Sequence, residues 1–133
     1  MKTILVTGGA GYIGAHTVVE LAATGYRPLI VDNFVNSDKS VLAALSELTG
    51  QEIACYQHDY QDVARLKEVI KKESIDGVIH FAAYKAVGES VENPLKYYEN
   101  NVAGLVSLLK VLEETGVGNI VFSSSCTVYG NAK

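Results

Sequence analysis

Residues 7–14 read Thr7-Gly8-Gly9-Ala10-Gly11-Tyr12-Ile13-Gly14, with Gly8, Gly11 and Gly14 spaced three and three. The stretch follows a short β-branched run, Thr3–Thr7, and opens a helix-period segment carrying Val18, Leu21 and Ala22. In that setting each glycine has a physical reason. Gly8 permits a tight turn, Gly11 lets backbone approach a pyrophosphate, and Gly14 lets the helix pack close to the strand. The helix N-terminus then offers unpaired N–H groups and the positive end of its dipole to phosphate. A glycine triplet alone is weak evidence; its place in the first strand–helix unit gives it weight. Asp32 ends the next apolar run, where an acid accepts the hydroxyls of an adenosine ribose and repels a 2′-phosphate. NAD is therefore expected over NADP. A simple strand-end aspartate is the bland alternative. Arg27 precedes the strand and stands too far back to reach the ribose.

Outward from the loop, short apolar runs alternate with helix-period segments. The runs are Thr3–Thr7, 29–32, 52–57, Gly77–His80 and 119–123, mostly apolar, as strands buried on both faces should be. The first helical pattern ends at Gly25, the second (Val41, Leu45, Leu48) at Gly50, and the third (Val63, Leu66, Ile70) has Asp62 in its first turn. The fourth opens at Asn93-Pro94, cap then N1 proline, and repeats Tyr98, Val102, Leu105, Leu109 and Leu112 before Gly116. This β-α-β-α-β-α-β-α-β order predicts an α/β, doubly wound parallel sheet with strand order 3-2-1-4-5 and right-handed crossovers. No helix follows the fifth run to cover it, so the domain is expected to be truncated there.

Ligands of such sheets lie at the carboxyl ends of the strands. After the glycine loop those ends are Asp32-Asn33-Phe34-Val35-Asn36-Ser37, then His58-Asp59-Tyr60, then Phe81-Ala82-Ala83-Tyr84-Lys85, then Ser123-Ser124-Ser125-Cys126-Thr127. Asp59 suits an adenine amino group, small residues at 82–83 let a cofactor chain pass, and Lys85 can reach phosphate or ribose oxygens. Each has a plain reading as a cap, a solvated charge or a turn.

Composition narrows the class. Of 133 residues 48% are apolar and 20% charged, which suits one packed domain rather than a disordered chain. The charge, 11 − 15 = −4, has the wrong sign for a nucleic-acid or anionic-membrane partner. No apolar run approaches the length of about 18 that a membrane span needs. Cys55 and Cys126 make no disulfide framework and fit reduced, cytoplasmic thiols. His16, His58 and His80 show no metal spacing, so no metal is expected.

Several stretches together resemble a known family. Gly-Gly-Ala-Gly-Tyr-Ile-Gly at 8–14 resembles the extended short-chain dehydrogenase/reductases, which have a Rossmann-like fold. Within them, Asp32-Asn33 with Asn36-Ser37, then His80-Phe81-Ala82-Ala83-Tyr84-Lys85-Ala86-Val87-Gly88-Glu89-Ser90, then Tyr97-Tyr98-Glu99-Asn100-Asn101-Val102, and Ser123-Ser124-Ser125-Cys126-Thr127-Val128-Tyr129-Gly130 closely resemble the UDP-galactose 4-epimerase branch. The resemblance covers nearly the whole chain but only the N-terminal part of the family's length.

It implies NAD as cofactor, epimerisation at C4 of a UDP-hexose, and a homodimer at full length through helices that include the fourth one here. Tyr12 and Ile13 would offer N–H groups to the pyrophosphate. Residues 32–37 would surround the adenosine ribose, Asp59 and Tyr60 would flank adenine, and Phe81 to Lys85 would line the pyrophosphate and nicotinamide ribose. Asn100 would face the cofactor, and Ser125 would match the catalytic Ser/Thr. Tyr129 and Lys133 fit Tyr-x-x-x-Lys, but Gly130-Asn131 between them is turn chemistry, so the catalytic pair is not expected here. The expectation is an incomplete NAD-binding domain over 1–133, without the UDP-sugar lobe, that binds NAD and is inactive alone. Alternatives are a nucleotide-sugar dehydratase or decarboxylase of the same fold, and a non-catalytic NAD-binding module.

Overall fold

The computed structural model describes residues 1–83 and 87–131. Five parallel strands run β1 (Thr3–Thr7), β2 (Arg27–Asp32), β3 (Ala54–Gln57), β4 (Gly77–His80) and β5 (Ile120–Phe122), in the order β3-β2-β1-β4-β5. Order, direction and the doubly wound class are those expected. The order reverses between β1 and β4, so the chain ends of these two strands diverge and leave a crevice.

Alternation along the strands sends neighbours to opposite faces. Leu5, Leu29, Val31 and Val78 face Leu66, Ile70, Leu108 and Leu112 of α3 (Val63–Glu73) and α6 (Gly104–Thr115). Val6 and Ile30 face Val18 and Leu45 of α1 (Tyr12–Ala23) and α2 (Ser40–Thr49). Asp62 is the N-cap of α3, accepting from the Arg65 N–H at 3.3 Å, one residue before the helix in which it was expected.

Two helical features depart from the sequence reading. A short helix, α4 (Val87–Glu92), precedes the proline; its sequence carries too few apolar residues to show a period. The fourth helical run does open with Asn93 as cap and Pro94 at N1, although the Asn93 side chain makes no capping bond. The run then divides into α5 (Pro94–Tyr97), a π turn (Tyr98–Ala103) and α6. Of the expected repeat, Leu105 and Leu112 pack on the core, whereas Tyr98, Val102 and Leu109 are exposed, and Leu108 and Val111 are buried in addition. The run carries two apolar stripes, and a four-three spacing rule cannot tell which one meets the sheet.

β5 is shorter than expected, three residues against the 119–123 read from the sequence, and all three are exposed at the edge of the sheet. Among the described residues no helix is long and apolar enough to cross a membrane.

Candidate functional site

The glycine loop lies at the crevice. Gly8 has φ +69°, and its N–H donates to the Val31 carbonyl at 2.9 Å, which turns the chain sharply out of β1. A Cβ on Gly8 would lie 2.9 Å from the Ala82 nitrogen, so backbone from β1 and β4 meets here with no side chain between. Gly14 is tighter still. A Cβ there would lie 2.3 Å from the Gly8 carbonyl oxygen, so the close packing attributed to this residue is against the loop itself. Gly11 is the extended N-cap of α1 and makes no side-chain cap bond. Tyr12 and Ile13 are the first helical residues, and their N–H groups lie beyond the reach of any helix carbonyl. Their side chains are exposed.

Asp32 organises the next segment. Its Oδ2 accepts from the Ala10 N–H at 3.1 Å, and its Oδ1 accepts from the Phe34 N–H at 2.8 Å and the Ser37 hydroxyl at 3.2 Å. Phe34 sits at φ +59°, a left-handed conformation a bulky residue avoids without support. The Asp32 bond and the Val35 N–H to Asn33 Oδ1 bond, at 3.1 Å, hold that turn. Arg27 starts β2 at the far end of the sheet, paired with Glu73 at 2.7 Å.

Asp59 links two strand ends. Its Oδ1 accepts from the Gln61 N–H at 2.8 Å, and Asn33 Nδ2 lies 3.4 Å from its Oδ2. Tyr60 is buried rather than open to the crevice mouth: its ring meets His80 edge-on at 4.8 Å, and its hydroxyl donates to the Asn100 carbonyl. His80 is buried, with Nδ1 2.6 Å from the Thr7 hydroxyl.

Together these residues line an open cleft at the switch point between β1 and β4. Gly8, Gly11, Asp32, Asn33, Val35, Asn36, Ser37, Asp59, Tyr60, Phe81, Ala82, Ala83 and Asn100 line it. Tyr12, Ile13, Gly14 and Phe34 are not among its lining residues. Tyr84 and Lys85 lie outside the described residues. Ser125 is exposed, beyond the lining, just before a 3₁₀ turn over Cys126–Tyr129. The serine run continues next to the end of β4, since the Ser123 N–H donates to the His80 carbonyl at 3.2 Å. Gly130, at φ +62°, ends the 3₁₀ turn after Tyr129, and Lys133 lies outside the described residues.

His58, read at a ligand-side strand end but given no role there, also lines the cleft, and Gln61, which the sequence did not single out, holds the Asn100 carboxamide. Cys55 has no nucleophilic character: burial, and then the Asp32 charge, push its thiol up to about 11.

The donor set fits a dinucleotide: a side-chain-free backbone cradle at a helix N-terminus, a carboxylate one strand away, and a second carboxylate on the next. The comparisons agree with that chemistry. Residues 4–133 match the NAD dependent epimerase/dehydratase family. The Bifunctional protein GAL10 of Pachysolen tannophilus is 57% identical over 132 residues, covering 99% of this chain and 19% of its own length. The UDP-glucose 4-epimerase of Neisseria meningitidis is 53% identical over 131 residues, covering 98% of this chain and 39% of its own. The crystal structure of UDP-glucose 4-epimerase from Stenotrophomonas maltophila, with bound NAD and formylated UDP-arabinopyranose, superposes with a TM-score of 0.96 at 45% identity, over 99% of this chain and 39% of that one. The chain thus spans well under half the length of these relatives. The match over nearly all of its residues, on a fold whose glycine loop, acid and switch point coincide with the cleft, is decisive: the chain belongs to the NAD dependent epimerase/dehydratase family.

Proposed function

We propose that this chain is the cofactor-binding part of an enzyme that epimerises C4 of a UDP-hexose, interconverting UDP-galactose and UDP-glucose. The observation that carries the reading is the seam at the switch point. Gly8 and Gly14 exclude any Cβ, α1 opens onto the same spot, and Asp32 is tied to the loop through Ala10.

When bound, NAD supplies a reversible acceptor for the hydride at C4 of the sugar. The protein's residues do the rest. Gly11, Tyr12 and Ile13 hold the pyrophosphate through backbone N–H groups. Asp32 and the turn through Ser37 hold the adenosine ribose, and Asp59 accepts from the adenine amino group. Phe81, Ala82 and Ala83, with Lys85, flank the pyrophosphate and nicotinamide ribose. Asn100 faces the cofactor from the helical run, and Ser125 donates to or accepts from the sugar hydroxyl as it gains and loses its proton. The general base and the sugar pocket are assigned to neither Tyr129 nor Lys133, so the 133 residues alone are expected to bind NAD without turnover. The exposed stripe Leu95, Tyr98, Val102, Val106 and Leu109 supports a homodimer through this helical run. A cytoplasmic enzyme acting on a soluble UDP-sugar is consistent with the acidic chain.

The test is to express the whole reading frame, add UDP-galactose and identify the product. UDP-glucose supports the reading. A 4-keto-6-deoxy sugar or released carbon dioxide would place the protein with the dehydratases or decarboxylases, and NAD binding without any turnover would favour a binding module. In the active protein, Ser125→Ala should lower kcat by about 10²-fold or more while NAD stays bound; unchanged kcat removes Ser125 from the chemistry.

A further inference from the structure

The π turn at Tyr98–Ala103 has a specific consequence for Asn100. The Gly104 N–H reaches back five residues to the Glu99 carbonyl, not four to Asn100. The Asn100 carbonyl accepts instead from the Tyr60 hydroxyl, at 2.5 Å. The Asn100 side chain is gripped from the same side: Gln61 Nε2 donates to its Oδ1 at 2.9 Å. Its Nδ2 donates to Asn101 Oδ1 at 2.8 Å. A carboxamide has two N–H groups and two lone pairs, so one of each is left for a ligand.

Gly104 makes this arrangement possible. A Cβ there would lie 2.3 Å from the Tyr60 hydroxyl oxygen and 3.0 Å from Gln61 Cδ. The grip is itself braced, since the Asp59 carboxylate fixes the Gln61 backbone and His80 stands edge-on to the Tyr60 ring. Turns of this kind inside α-helices recur at functional sites.

We propose that Tyr60 and Gln61 are positioning residues for Asn100. Tyr60 holds the backbone of the π turn and Gln61 holds the carboxamide, so that Asn100 meets the bound dinucleotide in one prepared orientation. The inference rests on the reading of the cleft as an NAD site; it adds a second role for Tyr60, which lines the cleft, and a first one for Gln61, which does not. A side chain ordered in advance does not lose its rotamer freedom on binding, and releasing it should weaken NAD binding about three- to tenfold.

Calorimetric titration of NAD into four proteins tests this: the parent, Gln61→Ala, Asn100→Ala and the double variant, with Tm measured for each. Gln61→Ala should weaken binding by the stated factor with little change in Tm. In the Asn100→Ala background the same substitution should have no further effect, because Gln61 acts through Asn100. Additive losses would overturn the proposal, as would full affinity in Gln61→Ala. Tyr60→Phe, which removes one oxygen and keeps the ring, should also weaken NAD; unchanged affinity there would remove Tyr60 from the device. A parent that takes no NAD would instead sink the reading of the cleft, a result distinct from all of these.

Discussion

Asp32 has two tasks that compete for the same oxygens. A carboxylate offers about four acceptor positions, and three are engaged by Ala10, Phe34 and Ser37. Holding the glycine loop and the left-handed turn at Phe34 therefore leaves little unengaged capacity for ribose hydroxyls, although the negative charge still repels a 2′-phosphate. NAD⁺ should raise the Tm of the protein, and NADP⁺ should raise it much less; equal shifts in thermal melts would contradict this role. Asp32→Asn should narrow the difference and also lower the Tm of the cofactor-free protein, by about 1.5–3 kcal/mol in stability, since bonds to a charged acceptor are lost. At this scale the sequence was informative where chemistry is carried by residue type and position, as at Gly8, Asp32 and Asp59. It was silent on Gln61, because an exposed-looking glutamine one residue after a strand-end tyrosine carries no pattern. Its role exists only once a distant helix brings Asn100 within 2.9 Å.

Among the elements, the N-terminal end of the sheet is tied by one carboxylate. Glu73 at the end of α3 accepts from the Tyr56 hydroxyl of β3 at 2.6 Å and from Arg27 of β2 at 2.7 Å. The Tyr56 hydroxyl first, and Arg27 with it, hold the Glu73 carboxyl below its usual value of 4.5. A carboxyl whose folded value is depressed contributes stability above its unfolded value and loses it as pH falls through the folded one. Glu73→Gln should therefore cost about 1 kcal/mol at pH 7, allowing for solvent screening at the partly exposed Arg27. That difference should shrink as denaturation is followed below pH 4.5; a gap that stays constant to pH 3 would contradict the assignment. The strands and the first three helices were legible because buried parallel strands read as continuous apolar runs. The helical run from Pro94 was legible as a helix, and its repeat met the core at Leu105 and Leu112 but not at Tyr98, Val102 and Leu109. One extra residue in a π turn slips the pattern by about 100°, the same rotation that separates a spacing of three from one of four.

For the molecule as a whole, β5 is an edge strand of the sheet with exposed side chains. Ile120, Val121 and Phe122 of β5 are 36%, 61% and 51% exposed, and an apolar groove lies beside them over Ile4, Tyr26 and Val78. An uncovered strand with apolar side chains invites pairing. The 133 residues alone should self-associate in light scattering, and a clean, stable monomer would contradict this. Val121→Lys should restore the monomer if the strand edge is responsible, and Val102→Lys if the helical stripe is. Topology was read correctly from the alternation of strands and helices.

A π turn is, in the currency of insertions and deletions, one residue held in reserve. Removing a single residue between Asn100 and Gly104 would let the helix close into ordinary α geometry with α6 still seated on the sheet. Everything before the deletion would then rotate by about 100° around the helix axis. The carboxamide of Asn100 would swing out of the cleft, and the outward stripe at Leu95 and Tyr98 would turn with it. The proposed cofactor contact and the candidate subunit face are thus geared to the same residue count, and neither can be re-registered without moving the other.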